Sequence, residues 1–329
     1  MEKPQRVAFS LVIPVYNEAG NVEELHREVA SAVEKLGRPF EVIFVDDGSL
    51  DASWAILRAL RKKDSRVKLI RLRRNFGQTA ALAAGFDYAR GEIIISLDAD
   101  LQNDPNDIPL LIGKIEEGHD IVAGWRKNRQ DKFLSRRLPS VIANRLISGM
   151  THVRLHDYGC TLKAFRREVI KNVRLYGELH RFIPAIASHM GVSIAEVEVN
   201  HRPRKHGKSK YNISRFTRVV LDMLTVKFLL SYSTRPLQIF GLIGLGSGTL
   251  GFIISLWLTY QRLFLGVSLA NRPLLLLGIL LIVTGFQFVT LGLLAEVMVR
   301  AYHESSGKTI YFIREVIDSE SGAEAREDR

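Results

Sequence analysis

The chain has 329 residues, a formal net charge of +11 and a single cysteine, Cys160. This length suits one large domain or two smaller ones. One cysteine excludes an intrachain disulfide and fits a reducing compartment. The basic residues concentrate beside two apolar runs and do not alternate with aromatic residues, so anionic membrane lipid and phosphate-bearing substrates are favoured as partners and nucleic acid is not.

The first 125 residues alternate short apolar runs with amphipathic stretches. Apolar runs that do not alternate with polar residues, and that helices separate, indicate a parallel sheet covered on both faces. The pattern therefore predicts a Rossmann-like, nucleotide-binding α/β domain whose ligands bind beyond the carboxyl ends of the strands. Strands are predicted at residues 7–13, 41–45, 67–72, 92–97 and 121–123, and helices at 17–36, 52–63, 77–89 and 105–117.

Polar side chains follow the first two predicted strands. Pro14 is expected to end the first strand, which runs on into Tyr16, Asn17 and Glu18. The second ends in the acids Asp46 and Asp47, and two acids at the end of a buried strand are costly unless they are hydrogen-bonded. Asp47 is a candidate acceptor for a nucleobase or a ribose, with a capping acid as the alternative interpretation.

The fourth predicted strand ends in Asp98, Ala99 and Asp100. On an extended chain, carboxylates two residues apart point to the same side. A divalent cation would relieve their repulsion while also binding a diphosphate. Gln102 continues the series with a neutral oxygen ligand. The motif therefore predicts a site for a metal and a diphosphate.

In combination these motifs resemble the inverting glycosyltransferases of family two, which have the GT-A fold. Later segments narrow the resemblance to the polyisoprenyl-phosphate glycosyltransferases, the group that contains dolichol-phosphate mannose synthase, and among bacterial members to the undecaprenyl-phosphate formamido-arabinose transferases. The resemblance covers nearly the whole chain. Its carriers are residues 13–18, 45–49, 97–103, 128–131, 157–160 and 207–211.

The resemblance implies roles for the residues at the strand ends. Asp100 and Gln102 would hold Mg²⁺ or Mn²⁺, and Asp98 would lie against the sugar or the metal shell. Asp157 matches the acid near the acceptor; because a lipid phosphate is already ionised, either a general base or an orienting acid is consistent with it. The nucleotide sugar, a UDP-sugar in preference to a GDP-sugar, would contact Pro14, Tyr16, Glu18, Asp47 and Asp98.

The acceptor side is basic. Residues 125–147 form an amphipathic pattern with a basic face, typical of a membrane surface. Arg136 and Ser140 stand four residues apart and share a helix face. The resemblance assigns contact with the phosphate of a polyprenyl phosphate to this pair and to Arg126, Arg204 and Lys210. A solvated basic face, or attraction to anionic lipid alone, is the alternative interpretation.

Two uncharged runs, residues 238–260 and 273–295, each exceed the ~20 residues that cross a bilayer as a helix. Basic residues precede the first run, and no signal peptide is recognised, so both termini and the catalytic domain are expected in the cytosol of a bacterial-type inner (plasma) membrane, with the chain multi-pass. The predicted regions are a GT-A domain (1–212), amphipathic interface helices (213–234), a transmembrane hairpin (235–300) and a cytosolic tail (301–329).

Gly244 and Gly248 form a small-xxx-small face on the first run, which would pack the two helices of one hairpin or join subunits. A homo-oligomer is expected because two helices offer little packing surface. Residues 295–297 depart from the Gly-Glu-Tyr that is common in the family at that point, which leaves the role of the segment after the membrane open.

The predicted function is inverting transfer of a sugar to a polyprenyl (undecaprenyl-type) phosphate. Two alternatives stay open. A processive polysaccharide synthase would carry a Gln-x-x-Arg-Trp motif and more helices, and the sequence has neither. A non-catalytic membrane partner on a transferase fold would not need intact acids at three strand ends.

Overall fold

The computed structural model describes residues 7–127, 153, 155–175, 179–203, 236–266, 268, 272–305 and 310–318. The chain forms two compact units. The first contains residues 1–226 and 309–329, and the second contains residues 227–308. Four of the predicted acceptor residues, Arg136, Ser140, Arg204 and Lys210, lie outside the described residues, as does the stretch predicted to form interface helices.

The first unit is built on one sheet, numbered here in chain order within the described ranges. Its central strands are mostly apolar and buried, and the predicted strands are all found. The strands are β1 (Phe9–Val15), β2 (Phe40–Asp46), β3 (Val67–Leu72), β4 (Ile93–Ser96), β5 (Ile121–Trp125), β6 (Lys163–Arg166), β7 (Ile194–Glu198) and β8 (Ile313–Ile317).

Helices of the first unit follow the apolar periodicity. In α1, for example, Val22, Leu25, Val29 and Val33 recur at helical spacing and all are buried against the sheet. The α-helices are α1 (Val22–Glu34), α2 (Ser53–Lys63), α3 (Gln78–Tyr88), α4 (Ile108–Glu116), α5 (Arg167–Ile170) and α6 (Ile183–Ser188), with short 3₁₀ turns at Pro105–Asp107 and Leu179–Phe182.

The strand order is β7-β5-β6-β4-β1-β2-β3-β8. The predicted parallel core is present, because β1 pairs in parallel with both β2 and β4, and β2 pairs in parallel with β3. Since β2 and β4 flank β1, the order reverses at β1, and the carboxyl ends of β1 and β4 border the crevice where such sheets bind ligands. The polar segments after β1, β2 and β4 therefore meet at one edge of the sheet.

The sheet is mixed, not purely parallel. β6 runs antiparallel to β4 and β5, and β8 runs antiparallel to β3. The expectation that Pro14 ends the first strand is wrong: Pro14 lies within β1, opposite Val45 of β2. Only the N–H that a proline lacks is lost, and the chain continues extended to Val15, whose carbonyl accepts a hydrogen bond from the Asp47 N–H (2.9 Å).

The second unit is a pair of long helices, α7 (Pro236–Phe264) and α8 (Pro273–Ser305). Both are long and apolar enough to cross a membrane, over Phe240–Phe264 and Pro273–Ala295. Large apolar side chains point outward, with Leu242 74% exposed and Phe286 71% exposed. A core helix of a soluble protein would bury such residues, so the exposed surface supports the predicted hairpin.

Glycines bring the two helices together. A Cβ atom placed on Gly244 would lie 2.6 Å from the Gly285 carbonyl oxygen, and one on Gly251 would lie 2.5 Å from the Gly278 carbonyl oxygen. The small-residue face that the sequence left ambiguous therefore packs the two helices of one hairpin. The expected homo-oligomer stays a prediction, and this face no longer argues for it.

Candidate active site

The loops that follow β1 and β2 are tied together. The Asn17 N–H donates to Ser49 Oγ (3.0 Å), and the Leu50 N–H donates back to Asn17 Oδ1 (2.8 Å). The Glu18 N–H donates to Ser53 Oγ at the start of α2 (2.9 Å). These bonds place Tyr16 and Glu18, which the sequence assigns to the nucleoside, next to the turn that carries Asp47.

Asp47 holds the backbone of another loop. Its carboxylate accepts the Phe76 N–H at Oδ1 (2.7 Å) and the Gly77 N–H at Oδ2 (2.9 Å), just before α3. Burial, opposed by these hydrogen bonds, raises the pKa of Asp47 to about 6. Each carboxylate oxygen keeps a second lone pair. Asp47 can therefore bind a nucleoside donor while it fixes the loop, a structural role that the sequence did not reveal.

Gly48 allows the turn after β2 to lie close to the backbone of residues 74–77. It has a φ of 68°, and a Cβ atom there would lie 2.6 Å from the backbone carbonyl carbon of Arg74. A side chain at Gly48 would push residues 74–75 away and take the Phe76 and Gly77 N–H groups with them. Asp46, in contrast, is fully buried and pairs with Arg71 (3.3 Å), so it belongs to the core and not to the site.

Asp98 and Asp100 follow β4 on a turn. Leu101 is buried with a φ of 61°, a backbone conformation that a leucine rarely adopts. The expected extended series through Gln102 is therefore wrong, because the chain reverses at Leu101 and the Gln102 N–H donates to Asp100 Oδ1 (3.2 Å). The turn still presents both acids at the carboxyl edge of the sheet.

The surroundings of Asp98 favour the binding of a cation. Gln78, the first residue of α3, donates from Nε2 to Asp98 Oδ1 (2.6 Å). Burial and the Asp100 carboxylate raise the pKa of Asp98 to about 7. A bound divalent cation would stabilise the ionised form of Asp98, and the carboxylate and amide oxygens of the site are the ligands that Mg²⁺ and Mn²⁺ prefer. The residues present fit the predicted metal.

The described residues contain no group of three or more His, Cys, Asp or Glu side chains placed to hold a metal ion alone. Two protein ligands such as Asp100 and Gln102 leave most coordination positions open. Mg²⁺ is often bound in this way, through one or two carboxylates together with the phosphates of a substrate. The donor set therefore suits a cation that arrives with a nucleoside diphosphate.

Close to Asp98, Arg126 and Asp157 form a two-pronged ion pair. Arg126 Nε lies 2.7 Å from Asp157 Oδ2, and Nη2 lies 3.0 Å from Oδ1. The Asp157 carboxylate also accepts the Gly159 N–H (3.1 Å) and is almost completely buried. The structure thus pairs Asp157 with Arg126, two residues to which the sequence gave separate roles on the acceptor side.

The buried ammonium group of Lys163 lies near Asp98 and Asp157, and the sequence did not reveal it. Lys163 of β6 is 3% exposed, donates to the Tyr158 and Cys160 carbonyl oxygens, and lies among Asp98, Asp157 and Arg126. Burial lowers the pKa of Lys163 to about 8. Lys163 lies on β6, a strand of only four residues, which is too short to show a periodic pattern in the sequence.

One crevice is lined by Asp98, Gly159, Lys163 and His180. His180 forms a hydrogen bond with Thr79 of α3 (2.7 Å).

The segment that leads into the basic stretch is fastened to the Asp98–Gln102 turn. The Arg202 N–H donates to the Gln102 carbonyl oxygen (2.9 Å), and its guanidinium pairs with Glu28 (2.6 Å) and Asp104 (2.7 Å). Asn103 forms an isolated β-bridge with His201. The basic residues that begin at position 204 thus follow directly from an anchor beside the predicted metal ligands.

The profile of the family described as "Glycosyl transferase family 2" matches residues 10–174, which include Asp47, Asp98, Asp100 and Asp157. The chain belongs to this family. The resemblance read from the motifs is confirmed.

Two curated relatives match the transferase over almost its full length. It is 44% identical to the dodecaprenyl-phosphate galacturonate synthase of Rhizobium johnstonii, over 97% of this chain and 96% of the relative. It is 40% identical to the undecaprenyl-phosphate 4-deoxy-4-formamido-L-arabinose transferase of Pseudomonas fluorescens, over 98% and 94%. The similarity therefore includes the helical hairpin and the strand that follows it.

Solved structures share the fold. Glucosyl-3-phosphoglycerate synthase from Mycobacterium tuberculosis, in complex with Mn²⁺, uridine diphosphate and phosphoglyceric acid, superposes with a TM-score of 0.54 at 20% identity, covering 69% of the transferase and 81% of that chain. Mannosyl-3-phosphoglycerate synthase from Rubrobacter xylanophilus gives 0.54 at 15% identity, covering 68% and 74%. At these identities the likeness confirms the predicted GT-A architecture and nothing finer.

Proposed function

We propose that this enzyme transfers a sugar from a nucleoside diphosphate sugar, with inversion, to a polyprenyl phosphate of the undecaprenyl type. The observation that carries the proposal is that the acidic strand-end turn, Asp98–Asp100, lies close to the Arg126–Asp157 ion pair, with buried Lys163 near both. The two relatives support it, because both are named for sugar transfer to a polyprenyl phosphate and both extend through the hairpin.

The donor side would work as follows. Asp47, with Pro14, Tyr16 and Glu18, binds the nucleoside, and a uridine nucleotide is favoured over a guanosine nucleotide. Asp98, held by Gln78, contacts the sugar. Asp100 and Gln102 would hold Mg²⁺ or Mn²⁺, which when bound neutralises the charge that develops on the departing diphosphate.

The acceptor side needs no proton transfer, since a phosphate monoester is ionised at neutral pH. Arg126, with Arg136, Ser140, Arg204 and Lys210 from the basic segments, binds the lipid phosphate and brings its oxygen to the anomeric carbon. Asp157 already accepts three hydrogen bonds, two of them from Arg126. Its proposed role is to orient Arg126, in preference to the role of general base.

The membrane arrangement follows from the order of the chain. The hairpin separates two parts of the same sheet: β8, which follows α8, pairs with β3, which precedes α7. Because the chain leaves the sheet before α7 and rejoins it after α8, two crossings would return it to the membrane side on which the sheet lies. With basic residues at that side, the proposal places the catalytic domain and both termini in the cytosol of an inner (plasma) membrane, against anionic lipid.

A transfer assay on the full-length enzyme in nanodiscs tests the proposal. Undecaprenyl phosphate and a panel of UDP- and GDP-sugars, including galacturonate and 4-formamido-arabinose donors, are incubated with and without EDTA, and lipid products are identified by mass. We expect a polyprenyl-phosphate sugar with one UDP-sugar, no product in EDTA, and recovery on adding Mn²⁺ or Mg²⁺.

Asp100→Asn supplies the site control. We expect a loss of at least about 100-fold in kcat, the order of effect of removing one group that stabilises the charge of a transition state. Glu117→Gln, the same acid-to-amide change at an exposed residue paired with Lys114, should keep wild-type rates. Transfer that survives EDTA, or a fully active Asp100→Asn enzyme, would overturn the metal-assisted mechanism.

A further inference from the structure

The segment between β3 and α3 connects the two acids of the donor side. Its Phe76 and Gly77 N–H groups bind Asp47 (2.7 and 2.9 Å), and Gln78 binds Asp98 (2.6 Å). Residues 73–75, at the start of this segment, are exposed, so few core contacts hold them in place. Residues 76–78 bind both carboxylates. A contact that fixes residues 73–78 therefore also fixes the positions of Asp47 and Asp98.

Residues 311–318, which follow the membrane hairpin and contain β8 with its flanking residues, provide that restraint and are called here the strand after the membrane hairpin. The Arg73 N–H donates to the Phe312 carbonyl oxygen (2.9 Å), and Arg73 Nε donates to the Ile313 carbonyl oxygen (3.3 Å). The Phe312 ring packs on the Phe76 ring with centroids 6.0 Å apart, and the Arg74 guanidinium covers Phe76 at 4.5 Å. Phe312 therefore contacts the residue whose N–H grips Asp47.

The same strand also restrains the far end of α3. Buried Tyr311 donates its hydroxyl to Asp87 Oδ2 (2.7 Å), and Asp318 pairs with Lys68 (2.7 Å) and Arg90. Contacts at residues 73, 76, 87 and 90 bracket α3 from its entry loop to its exit. Edge strands otherwise expose unpaired backbone groups, and β8 also covers that edge of the sheet.

We propose that the strand after the membrane hairpin is a positioning element of the donor site, acting through the contact of Phe312 with Phe76. This inference rests on the proposed function only in taking Asp47 and Asp98 as donor-binding residues. It gives a role to the segment after the membrane, which the sequence left open. Phe312 itself touches no substrate in this scheme; it orders the segment that holds Asp47 and Asp98.

Loss of the ring would leave residues 73–77 with more conformations to give up when the donor binds. In Phe312→Ala we expect the KM for the nucleotide sugar and the Kd for UDP with Mn²⁺ to rise about five-fold, as suits the loss of one aromatic pair. The KM for polyprenyl phosphate and the kcat should stay within about two-fold, because the acceptor contacts lie elsewhere. Phe312→Tyr, which keeps the ring, should restore both constants.

Arg314→Ala is the matched control, since Arg314 lies on the same strand and is exposed. It should change neither constant. Phe312→Leu keeps apolar volume without the ring and serves if Phe312→Ala does not fold; we expect it to raise the donor constants about three-fold. Hydrogen–deuterium exchange of residues 73–77 gives a readout without turnover: exchange of the Phe76 and Gly77 amides should quicken in Phe312→Ala and not in Arg314→Ala.

Unchanged donor constants and unchanged exchange in Phe312→Ala would overturn the inference, as would an equal rise in the donor and acceptor KM values. The proposed function fails separately, by absence of transfer from the wild-type enzyme. In that case the UDP affinity and the exchange of residues 73–77 still decide the role of the strand.

Discussion

Asp157 shows how a contact changes the interpretation of a residue. As a sequence motif it was equally consistent with a general base and with an orienting acid. In the structure both of its oxygens accept from Arg126, and one also accepts from the Gly159 N–H. A carboxylate engaged in this way has little freedom to approach an acceptor proton, and the ionised lipid phosphate offers none to remove.

Asp157→Asn should therefore lower kcat by roughly ten-fold, since the amide holds Arg126 with one oxygen and the acceptor phosphate is placed less well. The shape of the pH–rate profile should not change, because no proton transfer is lost. The measurement is kcat and kcat/KM for both substrates from pH 5.5 to 9.

The matched control is Glu198→Gln, an acid-to-amide change in an exposed ion pair with Lys127. It should behave as wild type, since such pairs contribute little. A general base would give another outcome, a loss of about 100- to 10,000-fold together with disappearance of the acidic limb of the profile.

Residues at the ends of predicted strands were identifiable from the sequence because the ends of neighbouring parallel strands must meet. Asp47, Asp98 and Asp100 could be assigned to one edge in this way. Gln78, Phe76 and Lys163 could not, because their roles depend on contacts across 20 or more residues of chain that no local pattern encodes. The turn at Leu101 was also unpredictable, since leucine seldom adopts a positive φ.

At the scale of elements, the hairpin depends on close backbone contact. Gly285 of α8 faces Gly244 and Gly248 of α7, and a Cβ atom on Gly285 would lie 2.6 Å from the Gly244 carbonyl oxygen. Gly246 lies on the same helix as Gly244, and a Cβ atom there meets nothing within 4 Å. The two positions separate the effect of helix packing from that of glycine itself.

Gly285→Val should force α7 and α8 apart and destabilise the hairpin by about 1–3 kcal/mol, the usual cost of overpacking. Gly246→Val adds the same atoms at a position with free space, so its effect on the free energy of unfolding should be much smaller. Any change should be towards higher stability, because valine restricts the unfolded chain more than glycine does. Thermal unfolding in nanodiscs, followed by the loss of soluble monodisperse protein, measures both. Equal midpoints for the two variants would show that the glycine contacts do not hold the hairpin together.

Elements with long, uniform patterns were predictable and short ones were not. The core strands β1 to β5 are mostly apolar and both spans are uncharged over residues 238–260 and 273–295, and the structure has them at the expected places. β6, with four residues, and β7, which is only half-buried, lack such a pattern. β8 reads as part of a charged tail, and it becomes a strand because β3 leaves an edge for it to pair with.

At the scale of the whole molecule, the sheet fixes the topology of the chain. Residues before α7 and residues after α8 belong to one sheet, so any membrane crossings between them must be even in number. The sequence suggested the same arrangement through the basic residues before the first span and the lack of a recognised signal peptide. Strand pairing between β3 and β8 is a separate and stronger constraint, because charge bias sets a preference, whereas a shared sheet does not permit the two parts to lie on opposite sides.

Cysteine labelling can test this topology without altering the background, because the only native cysteine, Cys160, is buried. Ser268 lies between the two helices, and Arg314 is exposed on β8. In intact cells whose outer surface is open to a membrane-impermeant maleimide, Ser268→Cys should be labelled and Arg314→Cys should not. After the inner membrane is permeabilised both should react, while the wild-type chain stays unlabelled in either state. Labelling of Arg314→Cys in sealed cells would place β8 outside and contradict the proposed cytosolic position of the sheet that β8 shares with β3.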